Sequence, residues 1–589
     1  MTSSDITEFP FRSKALAGLG DQTTHLNWPV VYALTGGKRI YIGETLHLVT
    51  RMRQHLRTKE DLRLTRGRVV VRDRFNKSAC LDLESHLIQW FAAQQGFTVL
   101  NENNGIVDAD YFDRDSYRAS FPAIFEQLLS SIDPELRRAY PGDATDLVGA
   151  LENTALYKLS PYKALNRDQA IAVENILEGL DLDLRAGRPS TSVVEGEPGT
   201  GKTVLAVFLI KLLRDLGAPP AAGVREPDSP FADFFADGFR EVFGQLRRIG
   251  FVVPQKSLRS SVERVFAKTP GLDKGMVLSP WEVGEATEPF DLLIVDETHR
   301  LSRRANQASA ALNAKFPAIN TTLWGSDDPD RTQLDWLLAR STHQIFLVDV
   351  AQRIRPADLP APRLRALADQ ARHDRRWYRL TSQMRMSVDH DYVGYIRGLL
   401  DPTGADVPRP RRFPSYDLRF FDDVEVMRSA IRARDDEVGL ARMVAGYAWP
   451  WRTKGAPADS QAAGYDIEIG DFRMRWNSTT DDWVTRRCAR DEVGSVHTVQ
   501  GYDLNYTGVI IGPDLSFDPV RGRLTFDRAA YSDRKGMENN PLLGLRFDDD
   551  ELLEFVTNIY AVLMTRGMRG TYVYVCDPAL REHLRHFFP

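Results

Sequence analysis

Gly196-Glu197-Pro198-Gly199-Thr200-Gly201-Lys202-Thr203 is the stretch from which the rest of the chain is read. The apolar run Ser192 to Glu195 precedes it, and Val204 to Ile210 follows it as the start of a helix. Strand, glycine-rich loop and helix in that order make a phosphate-binding loop. Gly196, Gly199 and Gly201 let the backbone curl so that its N–H groups face phosphate oxygens, and the helix N-terminus adds partial positive charge. Lys202 would reach the β- and γ-phosphates of ATP, and Thr203 would hold Mg²⁺. A plain glycine turn ahead of a core helix is the other reading of these residues.

Composition widens the frame. A chain of 589 residues is too long for one core, so three or four domains are expected. A hydrophobic content of 43% and a charged content of 27% are ordinary for a folded protein. Cys80, Cys488 and Cys576 fit neither a disulfide framework nor a zinc site, so a reducing cytoplasmic setting is expected. No apolar run is long enough to span a bilayer, and Met1 to Pro10 has no apolar signal core, so no membrane partner is expected. Net charge is −5, yet Val30 to Gly105 carries 12 Lys and Arg against 7 Asp and Glu. That imbalance suggests a polyanion partner, with a solvated basic face as the alternative.

Downstream of the glycine loop, Leu292-Leu293-Ile294-Val295-Asp296-Glu297-Thr298-His299-Arg300 reads as a buried strand that delivers two acids at its C-terminal end. Ligands bind at such ends in α/β sheets. Asp296 would hold Mg²⁺ and Glu297 would polarise the attacking water. Gln344 to Gln352 is another strand with polar residues at its end, which makes Gln352 a candidate γ-phosphate sensor. Gln169 starts a helix about thirty residues before the loop, and Phe251 to Gln255 is a strand followed by Lys256-Ser257-Leu258-Arg259. Leu380 to Arg385, Gly494 to Asp503 and Ile559 to Gly567 complete the series. Trp449, Trp451, Trp476 and Trp483 are stacking or packing residues, with packing favoured.

The set from Gln169 to Arg566 resembles the Schlafen-group-3-like DNA/RNA helicase domain, of superfamily-one type. The resemblance implies two RecA-like lobes with ATP between them and a nucleic-acid strand across them. Gln169 would read the adenine edge. Arg385 and Arg566 would reach the γ-phosphate from the second lobe, and Gln500 and Gly501 would couple phosphate to strand.

Nearer the N-terminus, Val30 to Leu34 and Arg39 to Ile42 read as a hairpin around Thr35-Gly36-Gly37-Lys38. Arg51 and His55 are four apart and share a helix face. Tyr32, Tyr41-Ile42-Gly43, Arg51, His55, Glu84 and Asn101 follow in an order that resembles the GIY-YIG nucleases, with Val30 where that family has its first glycine. The resemblance implies a small α/β domain that cuts phosphodiesters with one divalent metal, Mg²⁺ or, as an alternative, Mn²⁺. Glu84 would be the metal ligand, Tyr32 or Tyr41 would activate water, Arg51 would stabilise phosphate charge, and Asn101 would support the site. A domain of this fold that binds DNA without cutting is the middle reading. Arg66, Arg68, Arg72, Arg74 and Lys77 are near-alternate and read as a phosphate-tracking strand edge, or as an edge blunted with charge.

The expected fold class is therefore α/β: a small GIY-YIG domain and then two RecA-like parallel-sheet lobes. Expected boundaries are an N-terminal tail at 1–27, the nuclease module at 28–110, a helical connector at 111–160, and lobes at 161–355 and 356–589, with 514–550 an uninterpreted insertion. The expected partner is nucleic acid, DNA favoured over RNA, with an oligomer or protein partner left open. The expected function is an ATP-driven motor carrying an endonuclease, in genome maintenance or defence against invading DNA. An ATP-switched binding protein and a small-molecule P-loop enzyme are the alternatives.

Overall fold

The fold is that of a computed structural model, which describes residues 5–16, 18–21, 27–58, 62–101, 108, 110–218, 231–305, 310–349, 352–382, 391–404, 407–455, 464–479, 483–499 and 502–589. The chain divides into two compact units. One comprises residues 1–189, 203–249 and 262–276, and the other residues 190–202, 250–261 and 277–589.

The first unit is built on the strands β1 (Asp5–Pro10), β2 (Val30–Gly36), β3 (Arg39–Thr45), β4 (Arg66–Val71) and β5 (Thr98–Val99). Their order is β1-β4-β2-β3-β5, antiparallel except for the parallel β3–β5 pair. The hairpin turns at Gly37, whose φ of 60° lies where an L side chain is strained. Side chains alternate along β2. Val31 and Ala33 join a core with Leu83, Leu87 and Phe91 of the helix Lys77–Ala93. Tyr32 and Leu34 join the opposite cluster with Tyr41, Leu48 and Met52.

Three expectations are corrected in this unit. The N-terminal tail contains β1, which pairs with β4 from Asp5↔Val71 to Pro10↔Arg66. The basic strand is therefore interior rather than an edge. Arg68 is buried and donates to Ser131 O at 2.8 Å and Thr35 Oγ1 at 3.2 Å, with Glu8 3.0 Å away. Arg66 also pairs with Glu8, and Lys77 pairs with Glu44. The connector is not a linker either. Phe121, Ile124, Phe125, Leu128, Leu147 and Leu151 share one core with β2, β3 and the helix Lys77–Ala93.

The second unit holds two largely parallel sheets. The first contains β6 (Ser190–Gly196), β7 (Ile249–Val252), β8 (Val277–Leu278), β9 (Phe290–Val295), β10 (Ser341–Val348) and β11 (Trp377–Leu380), in the order β11-β6-β10-β9-β7-β8. The second contains β12 (Asp417–Phe420), β13 (Ala441–Ala445), β14 (Ile467–Ile469), β15 (Phe472–Trp476), β16 (Glu492–Gly494), β17 (Leu504–Ile511) and, after the hairpin β18 (Leu515–Asp518) and β19 (Arg523–Phe526), β20 (Gly567–Val575). Its order is β12-β20-β17-β13-β16-β15-β14, and β14–β15 is antiparallel. Strands such as Leu292–Val295 and Val509–Ile511 are buried on both faces, the pattern of strands with helices on either side.

The insertion is packed rather than free-standing. Leu515, Leu524 and Tyr531 enter the same core as β17 and the helix Asp549–Met564, and Phe517 stacks on His583 at 4.0 Å. Among the described residues, no helix is long and apolar enough to cross a membrane.

Candidate active sites

Parallel pairing brings the C-terminal ends of β6, β10 and β9 to one edge of their sheet. The glycine loop leaves β6 there. Gly199 and Gly201 have φ of 87° and 76°, so only glycine turns the chain at these points without strain. Lys202 is buried and curls back over the loop, donating to Gly196 O at 2.5 Å and Glu197 O at 2.9 Å.

Beside it, β9 delivers Asp296 and Glu297. Asp296 N donates to Val252 O, and Glu297 N to Asp296 Oδ1, both at 2.9 Å. Glu297 has a φ of 47°, an uncommon backbone for a non-glycine residue and one found at functional turns. His299 Nε2 stands 2.9 Å from Glu297 Oε2. Burial opposes ionisation of Glu297, but His299, then Lys202 and Arg566, outweigh it and hold the carboxyl below the ordinary carboxylate range. An ionised Glu297 can accept a hydrogen bond from water, as a water-polarising group must.

From β10 come Asp349 and Gln352. Asp349 Oδ2 lies 3.6 Å from Lys202 Nζ and accepts from Gln352 Nε2 at 2.7 Å. Gln352 Oε1 in turn accepts from Arg566 Nη2 at 3.1 Å. Arg566 follows the helix Asp549–Met564 and is 2% exposed, a guanidinium fully inside the protein. Lys202, Gln352 and Arg566, far apart in sequence, thus form one connected polar cluster, and Glu297 feels the charges of Lys202 and Arg566. Asp349 belongs to it as well. Asp349 has no role in the sequence analysis, although an acid at the end of a buried strand is the signal that points to it. Asp349 Oδ1 also lies 3.7 Å from Arg397 Nη2, an arginine that no motif singled out.

Gln169 and Thr203 belong to the first unit. Gln169 is buried and closes a capping box with Asn166, its Oε1 accepting from Asn166 N at 3.1 Å, so it is not a surface residue. Thr203 is the second residue of the helix Lys202–Gly217. Arg385, Gln500 and Gly501 lie outside the described residues. Tyr502, next to them, accepts from or donates to Ser261 Oγ at 2.7 Å and donates to Ser257 O at 3.1 Å. This ties the segment after β7 to the segment before β17. Trp476 and Trp483 are core residues. Trp483 Nε1 donates to Glu492 at 2.7 Å, which favours packing over base stacking.

Residues 189–577 match the family model described as Schlafen group 3, DNA/RNA helicase domain. The chain belongs to that family. The Schlafen group 3 match runs from just before β6 to just past β20, so it takes in both parallel sheets and every member of the polar cluster. The uncharacterized protein YPL245W of Saccharomyces cerevisiae is 27% identical over 426 residues, covering 67% of this chain and 84% of its own. Among solved structures, a Bacteroides Pif1 helicase in complex with ADP-AlF3 and ssDNA aligns over 69% of this chain and 93% of its own. That alignment has 9% identity and a TM-score of 0.24, too low to carry an assignment.

The N-terminal module lies outside the Schlafen group 3 match. Here Tyr32 Oη and His55 Nε2 are 2.7 Å apart, and Arg51 Nε donates to Tyr32 Oη at 3.4 Å. Tyr41 meets the His55 ring edge-on at 5.0 Å. Gly43 pairs with Tyr32 across the hairpin, and a side chain there would collide with the tyrosine ring. Asn101 clamps β3 by accepting from Ile42 N at 3.1 Å and donating to Ile42 O at 2.7 Å.

Glu84 and Glu44 are both buried, and Lys77 Nζ is 2.5 Å from Glu44 Oε1. Burial, then the carboxylate charges of Glu44 and Glu84, push the Cys80 thiol well up. Hard oxygen donors of this kind suit Mg²⁺ or Mn²⁺. Among the described residues, no three His, Cys, Asp or Glu side chains form a metal cage. An ion bound through one carboxylate, water and phosphate needs none.

Proposed function

We propose that this chain is an ATP-dependent nucleic-acid translocase or helicase that carries a metal-dependent endonuclease module. The convergence of Lys202, Glu297, Gln352 and Arg566 supports the motor half most directly. Lys202 would neutralise phosphate charge, Asp296 and Thr203 would hold Mg²⁺, and ionised Glu297 would orient the attacking water. Gln352 and Arg566 would report the γ-phosphate between two RecA-like lobes, so that hydrolysis changes the grip on a strand.

The nuclease half is supported by Tyr32 in contact with both His55 and Arg51, and by a buried Glu84 on the helix Lys77–Ala93. Glu84 would hold the divalent ion, which supplies Lewis-acid activation. His55 would orient the Tyr32 hydroxyl, and Arg51 would stabilise phosphate charge. DNA is the proposed substrate. The complete burial of Tyr32 favours a second reading, in which the domain binds DNA without cutting.

Plasmid nicking with Mg²⁺, with and without ATP, separates the two. Cutting by wild type that is lost in Glu84→Ala supports the nuclease, and dependence on Lys202 supports control by the motor. No cutting under either condition leaves the binding reading.

A further inference from the structure

We infer that Arg397 is a triphosphate-sensing residue of the second parallel-sheet lobe, and that Asp349 is the anion with which a terminal phosphate competes for it. The inference rests on the nucleotide-site reading above. One carboxylate serves two cations from different parts of the fold. Asp349 Oδ2 faces Lys202 Nζ at 3.6 Å and Oδ1 faces Arg397 Nη2 at 3.7 Å, while Gln352 Nε2 holds Oδ2 at 2.7 Å. The carboxylate is buried, and despite that burial Lys202, Arg397 and His299 keep it ionised, below the ordinary carboxylate range.

Arg397 does not reach Asp349 by chance of a long side chain on a loose element. Its helix, Tyr392–Leu399, is pinned into the core of the second sheet. Tyr392 Oη donates to Met564 O at 2.9 Å, and Tyr395 Oη to Phe587 O at 2.5 Å. The guanidinium is therefore carried by the second sheet and applied to the end of β10 in the first. Arg566 does the same three residues further on, at Gln352.

Lys202 belongs to the phosphate loop, so a γ-phosphate and the Asp349 carboxylate are alternative partners for it. A phosphate that draws Lys202 away leaves Arg397 facing two anions, and its fork geometry suits phosphate oxygens in particular. ADP has no terminal phosphate at that place. Arg397 would therefore discriminate triphosphate from diphosphate, and would do so from the opposite lobe.

The test is binding of ADP and of ATPγS to the full chain, measured calorimetrically for wild type, Arg397→Gln and Arg397→Lys. The expected result is an ATPγS affinity about tenfold weaker in Arg397→Gln, the weight of one charge-assisted hydrogen bond, with ADP affinity unchanged. Arg397→Lys, which keeps the charge, recovers most of the loss and carries the test if the Gln variant is unstable. Equal weakening for ADP and ATPγS, or none for either, overturns the inference while leaving the nucleotide site in place. A wild-type chain that binds neither nucleotide overturns both.

Discussion

Arg566 donates from Nη2 to Gln352 Oε1 across 3.1 Å, joining the turn ahead of β20 to the segment after β10. Each residue comes from a different parallel sheet, and both are buried. A contact of this kind is made or broken when two sheets close or open on a ligand, so it is suited to signalling phosphate occupancy. Arg566→Ala and Gln352→Ala are expected to lower kcat for ATP hydrolysis about 100-fold, with KM within about threefold, because the lost donor acts on the transferring phosphoryl group. Steady-state ATPase kinetics check this.

A second pair is structural. Arg300 Nη1 donates to Asp358 Oδ2 at 2.8 Å, and both side chains are buried. Ile354 N and Arg355 N also donate to Asp358, at 3.0 and 3.1 Å. Arg300→Ala would leave a buried carboxylate without its main counter-ion and should cost about 3 kcal/mol. Urea denaturation should show the midpoint falling. An unchanged midpoint would mean that the backbone amides and Arg355 suffice.

Asp514 gives the stability a pH dependence. Burial pushes its carboxyl from 3.8 to about 7, although Tyr560 Oη donates to Oδ1 at 2.5 Å. Between those two values the folded chain keeps a proton that the unfolded chain has released. The contribution is whole below 3.8 and is lost as pH rises through 7, a change on the order of a few kcal/mol. Asp514→Asn keeps Oδ1 and cannot ionise. Wild type should therefore come closest to this variant in Tm at acid pH, below about 4, and fall progressively behind it towards pH 8.

In the N-terminal module, Tyr32→Phe removes the hydroxyl held by His55 and Arg51 and leaves the ring in its core. The variant should melt within a few degrees of wild type and cut at least about 100-fold more slowly. Paired thermal melts and nicking rates check this. Equal cutting would move the water-activating role to Tyr41.

Local chemistry was legible in the sequence; long-range pairing was not. The glycine loop declares itself because Gly199 and Gly201 need positive φ, and Asp296-Glu297 because an apolar strand must end where a ligand can bind. Arg51 and His55 share a helix face by their spacing, whereas Tyr32 joins them only through the resemblance to the GIY-YIG nucleases. What failed depended on partners distant in sequence. Arg68 read as part of an exposed basic edge, and only the pairing of Asp5–Pro10 with its strand buries it. Phe121 to Leu129 read as a linker because periodicity shows that a helix has an apolar face, not which sheet the face covers. Arg397 carried no signal at all, since its meaning comes from Asp349 across two sheets.

The most direct measurement is ATP hydrolysis by wild type and Glu297→Gln, with and without single-stranded DNA. Glu297→Gln should bind ATP about as well as wild type and hydrolyse it at least about 100-fold more slowly, because the amide cannot take the role of the ionised carboxylate. The wild-type rate should rise several-fold with the strand. A Glu297→Gln chain that hydrolyses normally, or a wild-type rate indifferent to nucleic acid, would contradict the motor and leave a P-loop enzyme of another kind.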